Sequence, residues 1–195
     1  IASVCDRLAG AGWLAVAPHL FHRTGDPVID YGDSARIGEH MGPLAAAEVL
    51  EDLDVALARV RSVGIGPART GVVGFCMGGS VALVLGARRE LGAAVTFYGG
   101  GIREGRFGFG PLVDEARALR SPWLGLFGDL DAHIPVEEVE ALRAAAGTAG
   151  VPSAVVRYPD AGHGFNCDAR DSYHEASARD AWSRALDWFS THLSG

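Results

Sequence analysis

The run Thr70-Gly71-Val72-Val73-Gly74-Phe75-Cys76-Met77-Gly78-Gly79 decides the fold. Four residues with an apolar bias lead into a glycine-spaced hexamer, the pattern of a strand that delivers one side chain into a tight turn opening a helix. In the arrangement Gly-x-nucleophile-x-Gly, glycines two positions either side of the reactive residue permit the close backbone approach of a sharp strand-to-helix turn. Gly74 and Gly78 hold those places around Cys76. A thiol there is favoured as thiolate by the first N–H groups and the positive end of the helix dipole. The backbone N–H of Met77 would face an oxyanion developing on a carbonyl attacked by Cys76.

Such a nucleophile needs a base, and the base an orienting group. Two later stretches supply candidates. An apolar strand from Trp123 ends in Gly128-Asp129-Leu130-Asp131, and a second, from Ala154, empties into Asp160-Ala161-Gly162-His163-Gly164-Phe165. Each candidate lies just past a strand's carboxyl end, and in an open parallel sheet those ends share one edge. Of the seven histidines, only His163 combines the right chain order with a glycine-flanked loop. Periodicity does not choose between Asp129 and Asp131, because Gly128 ends the strand before alternation can sort them.

These motifs together resemble the dienelactone hydrolases of the α/β-hydrolase superfamily. The likeness rests on residues 74–79, on Phe97-Tyr98-Gly99-Gly100, on Gly128-Asp129-Leu130-Asp131 with Pro135, and on Ala161-Gly162-His163-Gly164-Phe165. Upstream, Ala17-Pro18-His19-Leu20-Phe21-His22-Arg23 is similar to a Pro-Asp-Leu-Tyr stretch of that family, with histidine in place of aspartate. The resemblance implies a Cys76–His163–Asp131 triad and selects Asp131 by its distance from Gly128 and Pro135. It implies hydrolysis of small esters or lactones through a thioester, with no cofactor and no metal. It makes Arg23 a substrate-carboxylate contact, with Tyr98, Phe165 and Cys167 lining the pocket. Cys167 stands where the family places a second arginine, a departure that bears on substrate choice. The resemblance also makes Ile1 fall within the first helix after the third strand, so a longer parent chain is expected, with a second oxyanion donor supplied from upstream.

Composition is compatible with one domain: 195 residues, 48% of them hydrophobic, are enough for a single core. Acidic residues outnumber basic ones 24 to 17, giving a net charge of −7 that disfavours nucleic acid as a partner. No stretch of about 18 uninterrupted apolar residues offers a membrane span. Three cysteines without framework spacing suit a reducing compartment, so a cytoplasmic monomer acting on a small molecule is expected. His19, His22, His174 and Cys167 match no structural zinc spacing.

Hydrophobic periodicity predicts helices over residues 1–10, 44–63, 77–88, 136–146 and 175–193, and strands over 13–17, 70–75, 93–98, 123–127 and 154–158. This alternation implies a mostly parallel sheet flanked by helices on both faces, an α/β-hydrolase fold lacking its N-terminal strands. Two other classes stay open on sequence: a non-catalytic binding module on the same fold, and a thiol redox protein using Cys76 with Cys5 or Cys167.

Overall fold

A computed structural model describes residues 1–30 and 32–193. They divide into two compact units, Ile1–Gly66 and Pro67–Gly195.

The first unit contains α1 (Ala2–Gly10), a 3-10 turn (His22–Thr24), α2 (Ser34–Met41) and α3 (Ala46–Ser62). The expected helices over residues 1–10 and 44–63 correspond to α1 and α3. The strand expected over residues 13–17 does not form. An apolar run of strand length becomes a strand only when a neighbour completes its hydrogen-bond ladder, and among the described residues none pairs with it. Helix α2 is not expected from the sequence: its eight residues place Ile37 and Met41 four apart, too short a run to mark a helix. Asp33 starts it by accepting the N–H of Arg36 at 3.0 Å.

The second unit runs β1 (Gly71–Phe75), α4 (Met77–Arg88), β2 (Ala93–Phe97), α5 (Leu112–Arg117), β3 (Trp123–Gly128), α6 (Val136–Ala146), β4 (Ser153–Tyr158) and α7 (Glu175–His192). Its four strands are parallel and lie in chain order, β1-β2-β3-β4. Helix α5 has only six residues, too short for its periodicity to stand out behind a glycine-rich loop. The second strand stops one residue before the expected boundary because Tyr98 turns to φ 39°, outside the extended region.

Helices cover both faces of this sheet. A Cβ on Gly71 would meet Phe189 of α7, while one on Gly86 of α4 would meet Ala94. Gly71 pairs with Ala93 across the ladder, so it shares a face with Ala93 and Ala94 points the other way. Helix α4 is apolar all round and buried from Gly79 to Ala87, as a helix enclosed by other elements should be. Trp123, Phe97, Phe127, Leu83 and Leu126 are among the fully buried side chains of this unit, each contributing roughly 1.5–3 kcal/mol of hydrophobic stabilisation.

Register aligns the strands' carboxyl ends. Phe75 lies opposite Phe97, Phe97 opposite Leu126, and Gly128 opposite Tyr158. The segments leaving β1, β3 and β4 carry Cys76, Asp131 and His163, which therefore emerge on one edge.

Candidate active site

Cys76 sits between β1 and α4 with φ 54° and ψ −118°, a conformation that a side-chain-bearing residue keeps only when its surroundings enforce it. Three features do so. A Cβ on Gly74 would lie 1.8 Å from the carbonyl oxygen of Gly78, so only glycine lets strand and helix backbones meet there. The N–H of Cys76 donates to Phe97 O at 3.0 Å, tying the turn to β2. A buried relay runs from Trp123 Nε1–H to Thr96 Oγ1 and from Thr96 Oγ1–H to Gly79 O, both at 2.9 Å, anchoring the first turn of α4. The sequence assigned close approach to both Gly74 and Gly78. In the structure a Cβ on Gly78 would meet nothing within 4 Å, whereas one on Gly79 would reach 2.5 Å from Phe97 O. Gly79, next in the chain, is the second glycine that packing demands.

His163 Nε2 lies 3.1 Å from Cys76 Sγ, and His163 Nδ1 lies 2.6 Å from Asp131 Oδ2. The other Asp131 oxygen accepts the N–H of His133 at 2.9 Å. The Asp131 side chain is only 1% exposed, so both oxygens of a buried carboxylate are used. The alternative carboxylate is engaged elsewhere: Asp129 takes a two-pronged bond from Arg157, Nε and Nη2 each 2.7 Å from its oxygens. The loops carrying acid and histidine are joined through backbone, with Asp129 N–H on Tyr158 O at 2.9 Å and Leu130 N–H on Ala161 O at 3.0 Å.

Burial opposes charge on the Cys76 thiol, but the hydrogen bond and charge of His163 outweigh it. With smaller help from the Met77 N–H and the Arg170 charge, they bring the thiol below its ordinary value. Burial likewise opposes the His163 cation, yet hydrogen bonds to Asp131 and Cys76 push it up to about 9. Both shifts favour a thiolate beside an imidazolium at neutral pH.

Aromatic rings form the wall under this pair. Tyr98 stands edge-on to His163 with centroids 5.2 Å apart and meets Phe165 at 5.3 Å. Phe165 is wholly buried, with Tyr158 at 5.1 Å on another side. Cys167, a free thiol, follows in the same loop, its N–H on Gly164 O at 2.9 Å. Arg23 belongs to the first unit, where Nη1 and Nη2 fork onto Asp52 at 2.5 and 3.0 Å and His22 adds a third contact to that carboxylate. The structure thus brings together Cys76, Met77, Tyr98, Asp131, His163 and Phe165.

Two residues near the site were not legible in the sequence. His133 holds Asp131 through its backbone and stands perpendicular to the His163 ring at 5.9 Å. Arg170 comes seven residues after His163, in no motif. Among the described residues no group of three or more His, Cys, Asp or Glu side chains is arranged to hold a metal ion, and no helix is long and apolar enough to cross a membrane.

Residues 1–193 match the family model of the dienelactone hydrolase family. The chain is 42% identical over 196 residues to a "putative carboxymethylenebutenolidase" of Escherichia coli O157:H7, covering 97% of this chain and 70% of that protein. It is 30% identical over 192 residues to the carboxymethylenebutenolidase of Rhodococcus opacus, covering 96% and 73%. The crystal structure of a "putative dienelactone hydrolase" from Klebsiella pneumoniae superposes with a TM-score of 0.86 at 39% identity, over 96% of this chain and 79% of that one. The chain belongs to the dienelactone hydrolase family and is a hydrolase of small-molecule substrates.

Proposed function

We propose that the protein hydrolyses small esters or lactones, butenolides among them, through a Cys76–His163–Asp131 triad. The observation that carries this reading is the unbroken line from Cys76 Sγ through the His163 ring to Asp131, 3.1 and 2.6 Å in its two steps. The Cys76 thiolate attacks the carbonyl carbon, and the Met77 N–H, already directed at the sulfur, donates to the new oxyanion. As the tetrahedral intermediate collapses, the C–O bond breaks and the His163 imidazolium gives its Nε2 proton to the leaving alkoxide. The remaining thioester is attacked by water, whose proton passes to the now neutral His163, and thiolate leaves with the product acid. Asp131 fixes the tautomer and stabilises each imidazolium.

A thiol nucleophile fits esters better than amides. Thiolate leaves a tetrahedral intermediate more readily than an amine does, so an amide adduct reverts while an ester adduct proceeds. Cys76 as a residue is half-buried rather than enclosed, which is compatible with attack on a bound substrate.

From the resemblance, Arg23 is proposed as a contact for a substrate carboxylate, and Tyr98, Phe165 and Cys167 are proposed as pocket-lining residues; within its own unit Arg23 forks onto Asp52. Three free cysteines support a reducing, cytoplasmic setting for a monomer.

The test is a panel of aryl esters, neutral lactones and carboxymethylene butenolide, assayed with the wild type, Cys76→Ala and His163→Ala. Turnover is expected in the wild type alone, with an acyl mass increment on the Cys76 peptide after rapid quench. Undiminished turnover by Cys76→Ala would overturn the reading.

A further inference from the structure

We infer that His133 is a substrate contact: its ring, standing free beside His163, donates to a hydrogen-bond acceptor on the alcohol side of the scissile bond. The inference rests on the reading of Cys76 as nucleophile and His163 as acid and base, and it adds a substrate preference to that reading. Its ground is the position of the ring. The His133 and His163 rings are perpendicular, with centroids 5.9 Å apart. The residue is exposed, and its hydrogen bond to Asp131 is made by the backbone. Among the described residues neither of its ring nitrogens has a hydrogen-bond partner. Most histidines of this chain differ. His19 bonds Asp26, His22 bonds Asp52, His40 bonds Thr24 and His174 bonds Ser177, so each spends a ring nitrogen on the protein.

The backbone under this ring is fixed. His133 N–H is held by Asp131 Oδ1 at 2.9 Å, and Ile134 N–H by Asp131 O at 3.3 Å. Ile134 is 2% exposed and packs beside the loop after β2, where a Cβ on Gly100 would lie 3.9 Å from its side chain. Pro135 then begins α6 as its N-cap residue. With its Cα held from both sides, His133 has only its side-chain torsions to fix when it bonds a ligand, which keeps the ordering cost of that bond low.

Two rings flank His163 besides its partners Cys76 and Asp131. Tyr98 is 3% exposed, so its side of the imidazole is closed by protein. His133 is exposed, so its side is open. The chemistry then selects which part of a substrate comes there. The leaving oxygen takes its proton from His163 Nε2 and must come within hydrogen-bond reach of that atom. The acyl carbon is bonded to Cys76, and its oxyanion faces the Met77 N–H. The group attached to the leaving oxygen is therefore the part brought beside His163 on its open side, toward His133. A carboxylate there gains most from the His133 N–H, because a charge-assisted hydrogen bond is roughly twice as strong as a neutral one. The favoured class is esters and lactones whose alcohol portion carries a carboxylate.

The experiment measures binding without turnover, by calorimetry on Cys76→Ala with two singly charged esters. In 4-acetoxybenzoate the carboxylate is on the alcohol side; in the phenyl monoester of succinic acid it is on the acyl side. Adding His133→Phe keeps a ring against His163 and removes both nitrogens, while His133→Gln keeps a donor. His133→Phe should weaken 4-acetoxybenzoate binding by about five- to tenfold, the effect of one charge-assisted hydrogen bond partly open to water, and change the succinate ester by less than about twofold. His133→Gln should restore part of the loss. Equal weakening of both esters overturns the inference, since the ring would then act through His163 rather than on the alcohol group. Unchanged affinity for 4-acetoxybenzoate in His133→Phe, or no binding of that ester to Cys76→Ala at millimolar concentration, overturns it too. If the contrast appears while the wild type turns over no ester or lactone, the proposed hydrolysis fails and the His133 contact stands. If the wild type hydrolyses esters and the contrast is absent, the inference alone fails.

Discussion

The carbonyl oxygen of Ala161 occupies the space into which a side chain at Gly128 would project: a Cβ there would come within 2.2 Å of it. This contact joins the end of β3 to the loop leaving β4, and it is what lets Asp131 and His163 meet at 2.6 Å. Backbone cannot withdraw as a flexible side chain can, so Gly128→Ala must separate the two loops. We expect a stability loss of about 2–3 kcal/mol, with loss of esterase activity greater than the unfolded fraction explains. Chemical denaturation beside kcat at a temperature where the variant is folded checks this. Full activity in the folded fraction would show that the loops tolerate the separation.

The two acidic residues of one loop have separate duties, and substitution should divide them. Asp131→Asn keeps the shape but loses the charge that orients His163, and kcat should fall by about two to four orders of magnitude with little change in fold. Asp129→Asn loses the fork with Arg157, which lies on the surface of β4, and should lower Tm slightly while leaving kcat within about twofold. The reverse pattern would exchange the assignments.

That division shows where the sequence was and was not legible. The strand-turn-helix around Cys76 and the parallel order could be read because glycine spacing and apolar runs are local signals. Asp131 and Asp129 could be separated only by resemblance, because the discriminating partner, Arg157, is on another strand. Residues 13–17 mislead because strand propensity carries no information about whether a neighbour exists to complete the ladder. Arg170 was invisible for a related reason: a loop that folds back through its own carbonyls places a side chain by tertiary geometry, and no periodicity marks it. Gly79 was hidden behind Gly78 because adjacent glycines look alike until the approach of Phe97 O distinguishes them.

The opposed shifts on Cys76 and His163 set the pH response. The thiol titrates below its ordinary value, so alkylation of Cys76 by iodoacetamide should persist at pH values where an unperturbed thiol has stopped reacting. The imidazolium keeps its proton up to about 9, so ester acylation should fall on the alkaline side near that pH, as the proton for the leaving alkoxide is lost. On the acid side it falls as the thiolate is protonated. His163→Ala should move the alkylation midpoint up toward the ordinary thiol range, because the hydrogen bond and charge that outweigh burial are removed. These limbs belong to the coupled pair, and the rate profile with its His163→Ala counterpart measures them together. An alkylation profile unchanged by His163→Ala would remove the basis for an ion pair.

Backbone strain at Cys76 makes a last prediction that separates function from stability. At φ 54° and ψ −118° any residue with a Cβ is strained, and the strain is sustained by the Gly74–Gly78 approach and the bond to Phe97 O rather than by the thiol. Cys76→Ala removes the proposed nucleophile but keeps the Cβ; Cys76→Gly removes both. Strain of this kind costs about 1–3 kcal/mol, and the extra flexibility of glycine in the unfolded chain offsets roughly 0.5–1 kcal/mol of the relief. Cys76→Gly should therefore be more stable than Cys76→Ala by about 1 kcal/mol, although both lack turnover. Denaturant midpoints with a common slope measure the difference. A less stable glycine variant would mean that the turn is held by contacts of the side chain after all, and that the geometry of the nucleophile is bound up with its own packing.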